Sequence, residues 1–294
     1  MDRLEKTQEE LIYLFQSRIE PALNRQHALE APSLERWDMS SSPSQPAVLT
    51  FSELLDLDGI CDLKDALAER ESLSPESQSQ VNLILSHLRF HDWLAGPQPD
   101  LLLVDANLPD QDIAVISALS AVSAFSAVLA TALTTARRTN RNPHIFVAHF
   151  FCGLHASPRG TRTDEWNGPG ELVRSLIVQL LSQLEDPGES STGGSWAPYG
   201  LDLEDIDAER FLQDLEHLAL PALCLACRKL LHTFAPYTPV YLIVDSVSSF
   251  DALGPMLRDL GVVMDMFRQI VNDESMPADL SWREQQGYHG DALV

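Results

Sequence analysis

Apolar residues along this chain follow two spacings, one suited to helices and one to buried strands, and their alternation sets the expected fold. Leu4, Leu11, Ile12, Phe15, Ile19 and Leu23 recur near helical spacing over residues 4–30, with Pro21 placed to kink or end the first part. Pro32 to Pro46, with four serines between Ser40 and Ser44, reads as a flexible linker. Helices are expected near 52–71 and 75–95, the second carrying Val81, Ile84, Leu85, Leu88 and Trp93 behind a first-turn proline, Pro75. The texture changes from Pro97. Leu101 to Val104 is a continuous apolar run ending in Asp105, the pattern of a buried parallel strand. The uncharged stretch from Ile113 to Ala136 reads as a helix buried on all sides. His144 to Phe151 is β-branched and aromatic, a second strand.

Gly168-Pro-Gly170 opens a helix bearing Leu172, Leu176, Ile177, Leu180, Leu181 and Leu184, and the Gly-, Ser- and Pro-rich residues 186–200 form a loop. A helix over 208–234 is expected to break near Pro221, and the Asp202–Glu209 acids lead into it as a solvated loop. Pro239 to Asp245 is a third strand, a helix follows near 254–272, and the last twenty residues are polar. This order predicts an α/β fold: a parallel-sheet core with flanking helices and a helical N-terminal region. The expected units are an N-terminal helix (1–31), a Ser/Pro linker (32–50), a helical region (51–96), an α/β core (97–272) and a polar tail (273–294). Three strands are few for an open sheet. Either further strands lie within the helical segments, or the 1–95 region covers an exposed edge.

Charge changes the picture of partners. The formal net charge is −23 over 294 residues, which argues against nucleic acid and anionic membrane surfaces. The 113–136 segment is long enough to span a bilayer, but it is built largely from Ala and Ser, and Asp110 and Asp112 suit a helix start. It is therefore read as a buried helix, with the membrane reading as the alternative. Cys224-Leu-Ala-Cys227 has zinc or redox spacing, yet it lies within an apolar helical run with no second pair, so both thiols are expected to be small buried residues. The charged N-terminus has no long apolar core, and the expected setting is reducing, intracellular and cytoplasmic.

Chemistry is most visible by omission. The only lysines are Lys6, Lys64 and Lys229. A phosphate-cradling loop needs Gly-x-x-x-x-Gly-Lys-Ser/Thr, whose amides and ammonium meet the phosphate charges. After the first strand the chain instead reads Asp105-Ala-Asn-Leu-Pro-Asp-Gln-Asp112, with three acids, no glycine and no lysine. Ligands of open α/β sheets bind at the carboxyl ends of strands. That rule makes Asp105, Asn107, Cys152, Asp245 and Ser246 the candidate crevice. Asp105 and Asp245 could hold a cation or raise each other's pKa; alternatively Asp105 and Asn107 tie up the turn's own amides. Ser246 is a crevice residue or a cap for the next turn. His149, Cys152 and His155 could bind zinc or pair a thiol with a base, but His149 and Cys152 face opposite sides of a strand. Only a turn at Gly153 could bring Cys152 and His155 together.

An ordered set of segments carries a family resemblance over about residues 93–251. Trp93-Leu-Ala-Gly-Pro97 leads into Leu-Leu-Leu-Val-Asp105; His149-Phe-Phe-Cys-Gly153, Leu172-Val-Arg-Ser-Leu-Ile-Val-Gln-Leu-Leu181 and Val240-Tyr-Leu-Ile-Val-Asp245 follow. This set resembles the NACHT-like P-loop module of fungal STAND proteins, the nephrocystin-like N-terminal type. The resemblance implies a P-loop-like core in which Asp245 matches the Walker B acid. No Walker A residue can be carried over, and Ser246-Val-Ser-Ser-Phe250 lacks the adjacent acid that family members use to activate water. The implied protein is a pseudo-ATPase: a non-catalytic interaction or regulatory protein with a protein partner, no cofactor, and magnesium-nucleotide disfavoured. An enzyme using the strand-end crevice, or a weak nucleotide binder, is the alternative.

Overall fold

Two of the apolar runs become strands, β1 (Phe146–Phe151) and β2 (Val240–Asp245). They pair in parallel, in register from Phe146 opposite Val240 to Phe151 opposite Asp245. The computed structural model describes residues 59–69, 75–96, 100–104, 121–139, 145–155, 168–184, 207–234, 238–250 and 256–273. The expected helix over 4–30, the Ser/Pro linker, the 186–200 loop and the polar tail lie outside them.

Parallel pairing requires a long crossover. Between the strands run a one-turn helix α5 (Cys152–His155), then α6 (Pro169–Leu184), α7 (Ala208–Glu216) and α8 (Leu220–His232). Before β1 lie α1 (Gly59–Glu69), α2 (Pro75–Ser86), α3 (Leu88–Ala95) and α4 (Ala121–Thr139), and after β2 lies α9 (Met256–Asn272). Alternate residues of each strand feed two cores. Phe146, Ala148, Phe150 and Leu242 pack against α6, α8 and α9. Ile145, Val147 and Ile243 pack against α4, beyond which lie Val81 of α2 and Phe90 and Leu94 of α3. The described part is thus three layers, helix on sheet on helix.

α4 bears out the expectation of a helix buried on all sides: Ser123 through Ala130 are buried without a break. Alanine and serine make this possible, because small side chains let the sheet, α1 and α2 all approach the same helix closely. Ala66 of α1, Ala127 of α4 and Phe151 of β1 meet with no exposure at all. Among the described residues no helix is long and apolar enough to cross a membrane.

The outer edge of β1 is closed in a way the strand count did not foresee. The Phe146 N–H donates to the Pro239 carbonyl at 2.9 Å, so the groups of Val147 and His149 point away from β2. Glutamines of α6 meet them. Gln183 Oε1 accepts from the Val147 N–H (3.1 Å) and its Nε2 donates to the Val147 carbonyl (2.8 Å). Gln179 repeats the pair on His149, at 3.0 and 2.7 Å. This edge is covered by α6, while the described part of the 51–96 region packs on α4 and also reaches the sheet, through Ala66 against Phe151 and the Leu94 carbonyl, which accepts from the Tyr241 hydroxyl.

Three expectations need correction. Leu101–Val104 forms no strand with either neighbour. Side chains of α3 hold this segment instead: Arg89 grips the Asp100 carboxylate through both terminal nitrogens, and the Trp93 indole donates to the Asp100 carbonyl at 3.2 Å. Leu101 and Leu102 reach opposite cores, but Leu103 is 70% exposed and Val104 40%. An apolar run signals a buried strand only where both its faces are covered. The single helix over 75–95 is two, broken at His87, whose backbone is extended and whose Nδ1 accepts from the Arg89 N–H at 3.2 Å, an N-cap made by an imidazole. The break expected near Pro221 is present: the 208–234 segment divides at 217–219, where Leu218 turns left-handed (φ 52°), and Pro221 sits in the first turn of α8. The 113–136 helix extends to Thr139, and residues 113–120 lie outside the description.

Candidate functional site

The carboxyl ends of β1 and β2 lie side by side, and three of the five sequence candidates meet there. Asp245 ends β2 opposite Phe151, and Cys152 follows Phe151 immediately. Ser246, next along the chain, adopts the left-handed conformation (φ 55°, ψ 40°) before the 3-10 turn Val247–Ser249. A non-glycine residue held there costs about 1–2 kcal/mol. Asp105 and Asn107 lie outside the described residues, so a pairing of Asp105 with Asp245 has no structural account.

Asp245 is only 2% exposed. Its Oδ2 accepts a 2.8 Å hydrogen bond from the Ser246 hydroxyl, which in turn lies 3.4 Å from the Ser123 hydroxyl on α4. The second oxygen, Oδ1, is buried with no hydrogen-bond partner. Burial raises the Asp245 pKa above its ordinary value, and hydrogen bonding from Ser123 and Ser246 only partly opposes this. The Ser246 side chain makes no cap hydrogen bond to the following turn; it is spent on Asp245. The cap reading is therefore corrected.

Cys152 is fully buried, and burial together with the Asp245 charge pushes its thiol well above the usual range. Such a thiol is no nucleophile at neutral pH. The chain does turn at Gly153, as Cys152 and His155 would need, but His155 is committed elsewhere. Its Nε2 lies 2.8 Å from Asp62 Oδ2 of α1, and its ring stacks on Phe150 at 4.9 Å between centroids. It ties α1 to the sheet.

Ser123 and the Asp62–His155 pair were not singled out in the sequence. Ser123 looks like a filler among the alanines of α4, and Asp62 and His155 are far apart along the chain. The only signal for Ser123 was a hydroxyl on a helix read as buried on every side, where a polar atom needs a partner.

The group that a Walker B acid would serve is magnesium with its nucleotide. Among the described residues only Asp245 is placed for it, and that residue by itself fits it poorly. Magnesium takes six oxygens in a near-ideal octahedron and keeps several waters. Here a single carboxylate is sealed from solvent and biased toward its neutral form, with hydroxyls as its neighbours. Among the described residues no group of three or more His, Cys, Asp or Glu could hold a metal ion. The arrangement fixes a turn around a buried acid; among the described residues no nucleophile is paired with a base there. The chain matches no protein-family model, no curated protein and no solved structure.

Proposed function

We propose that this protein is a non-catalytic interaction protein built on a degenerate P-loop-like α/β scaffold, acting inside the cell through its surfaces on a protein partner. The burial of Asp245 carries the reading. An acid that served a triphosphate would face an open crevice and stay ionised, whereas Asp245 is 2% exposed and hydrogen-bonded by its own chain. The segment leading toward Asp105 supports it. Leu103 and Val104 present apolar side chains to solvent, and the next eight residues carry three acids and no cation. Acids in that number repel phosphate, and the exposed Leu103 and Val104 offer apolar area to a protein.

Isothermal titration of the full chain with magnesium-ATP, paired with a phosphate-release assay, tests this. No binding heat and no release above the protein-free rate are expected. Micromolar binding with turnover would overturn it.

A further inference from the structure

The mismatch between Asp245 and a cation has a second consequence. An ionised carboxylate would spread its charge over both oxygens, and among the described residues the buried carboxyl meets only uncharged donors, the hydroxyls of Ser246 and Ser123 and the Ser246 N–H. A neutral acid puts no charge there, and burial then costs far less. Among the described residues no lysine or arginine acts on this carboxyl. On α4 no charged residue lies between Ala121 and Ala136, and Arg137, at the far end, is engaged by Gln183 at 2.6 Å. From β1 and α5 the titratable neighbours are Cys152, His149 on the same strand face as Phe151, and His155, which is paired with Asp62 of α1. The 3-10 turn brings only Val247, Ser248 and Ser249, and Tyr241 of β2 donates its hydroxyl to the Leu94 carbonyl at 3.1 Å.

We propose that Asp245 is a proton-operated latch: its buried carboxyl joins the end of β2 to the left-handed turn at Ser246, whose hydroxyl faces Ser123 of α4, and loss of the proton opens that turn. Two features favour opening once the charge appears. Hydration of the carboxylate is available only outside the closed turn. The strained Ser246 backbone relaxes on release. The opening unit is the segment from Asp245 to Phe250, held closed by backbone hydrogen bonds from Ser249 to Ser246 (2.9 Å) and from Phe250 to Val247 (3.1 Å). This inference does not depend on the proposed function, since a latch of this kind would operate in an enzyme or a binding protein alike.

The test uses the full chain with 13C-labelled aspartate. The side-chain carboxyl resonance of Asp245, assigned by its loss in Asp245→Asn, should titrate at higher pH than the exposed aspartates. Hydrogen exchange of residues 245–250, corrected for the intrinsic pH dependence, should show opening that rises tenfold per pH unit. The rise should begin above about pH 4, where an opened aspartate ionises, and level off at the carboxyl midpoint. In Asp245→Asn the corrected opening should be flat with pH. If that variant does not fold, Ser123→Ala serves: removing a hydroxyl that favours the ionised form should move the midpoint up. A midpoint at or below the ordinary aspartate range would overturn the latch. So would corrected exchange that does not change with pH in the unsubstituted chain, or a midpoint that falls when magnesium chloride is added.

Discussion

Gln183 makes with Val147 both of the backbone hydrogen bonds that a third strand would make there, at 3.1 and 2.8 Å. Gln179 does the same for His149, and the match is geometric. Four residues of helix advance about 6.0 Å, and two residues of strand about 6.6 Å. Glutamines four apart on a helix can therefore address alternate residues of a strand lying beside it. The stripe continues to Ser175, whose hydroxyl accepts from Gln179 Nε2 at 2.9 Å, and Arg137 locks the other end by donating to Gln183 Oε1 and to its carbonyl. A sheet of two strands is marginal by itself. Here a helix completes one edge, which removes the pairing template an open edge presents.

Gln183→Ala should lower the unfolding free energy by about 2–3 kcal/mol, the cost of stranding a partly buried donor and acceptor together. Gln183→Glu is the sharper variant, because it retains an acceptor for the Val147 N–H but sets a carboxylate against the Val147 carbonyl. It should recover little of the loss. Urea denaturation read by circular dichroism measures both. A loss under about 0.5 kcal/mol would mean that water replaces the amide without cost.

The parts of the fold that were legible in the sequence are those where one local signal suffices. The runs ending at Phe151 and Asp245 are β-branched and aromatic and became strands within two residues of the expected limits. The helices after Gly168 and near 254–272 follow their leucine and methionine spacing. What was missed depends on residues acting out of type. His87 caps a helix, Leu218 takes a position that favours glycine, and Leu101–Val104 is apolar yet half turned to solvent. At the site, the meeting of Cys152, Asp245 and Ser246 follows from strand-end topology, which the sequence implied. Ser123 does not, because its role depends on how α4 lies across the sheet. Ser175, Gln179 and Gln183, spaced by four on an otherwise apolar helix face, were a readable signal for the covered edge.

Leu218→Gly should be more stable than Leu218→Ala by about 1 kcal/mol. The end of α7 is a Schellman turn: the Ala219 N–H bonds the Asp214 carbonyl and the Leu218 N–H bonds the Leu215 carbonyl, both at 2.9 Å. Leu218 occupies the left-handed position with φ 52° and is 37% exposed, so both substitutions lose the same partly buried side chain beyond Cβ and their difference isolates the backbone term. Leu218→Ala retains the backbone strain and serves as the control, expected to be neutral or slightly destabilising. Equal midpoints for the glycine and alanine variants in urea would show that the strain is not relieved.

Cys152, Cys224 and Cys227 should resist alkylation in the native chain at pH 8. All three are buried, and burial pushes Cys224 up to about 11 and Cys227 to about 12, with Cys152 also well raised. Since the thiolate is the reactive form, iodoacetamide labelling mapped by peptide mass should be slower by at least about a hundredfold than in urea. Rapid native labelling of Cys224 and Cys227 together would point to local opening of α8.

Asp245→Asn should gain stability over the unsubstituted chain as pH rises. The folded-state pKa of Asp245 is raised, so the folded chain holds this proton more tightly than the unfolded chain does. Its contribution is fully present below the unfolded value of about 4 and is lost as pH rises through the folded value. Asparagine fills the same space, still accepts from the Ser246 hydroxyl and cannot ionise. The difference in unfolding free energy between the two proteins should therefore move in favour of the variant from about pH 4 upward and become constant beyond the folded pKa. Urea midpoints across that range measure the difference, in which the contributions of the other carboxylates cancel. A difference that moves the opposite way with pH would show that the folded chain stabilises the charged form, and the sealed environment of Asp245 would be wrong.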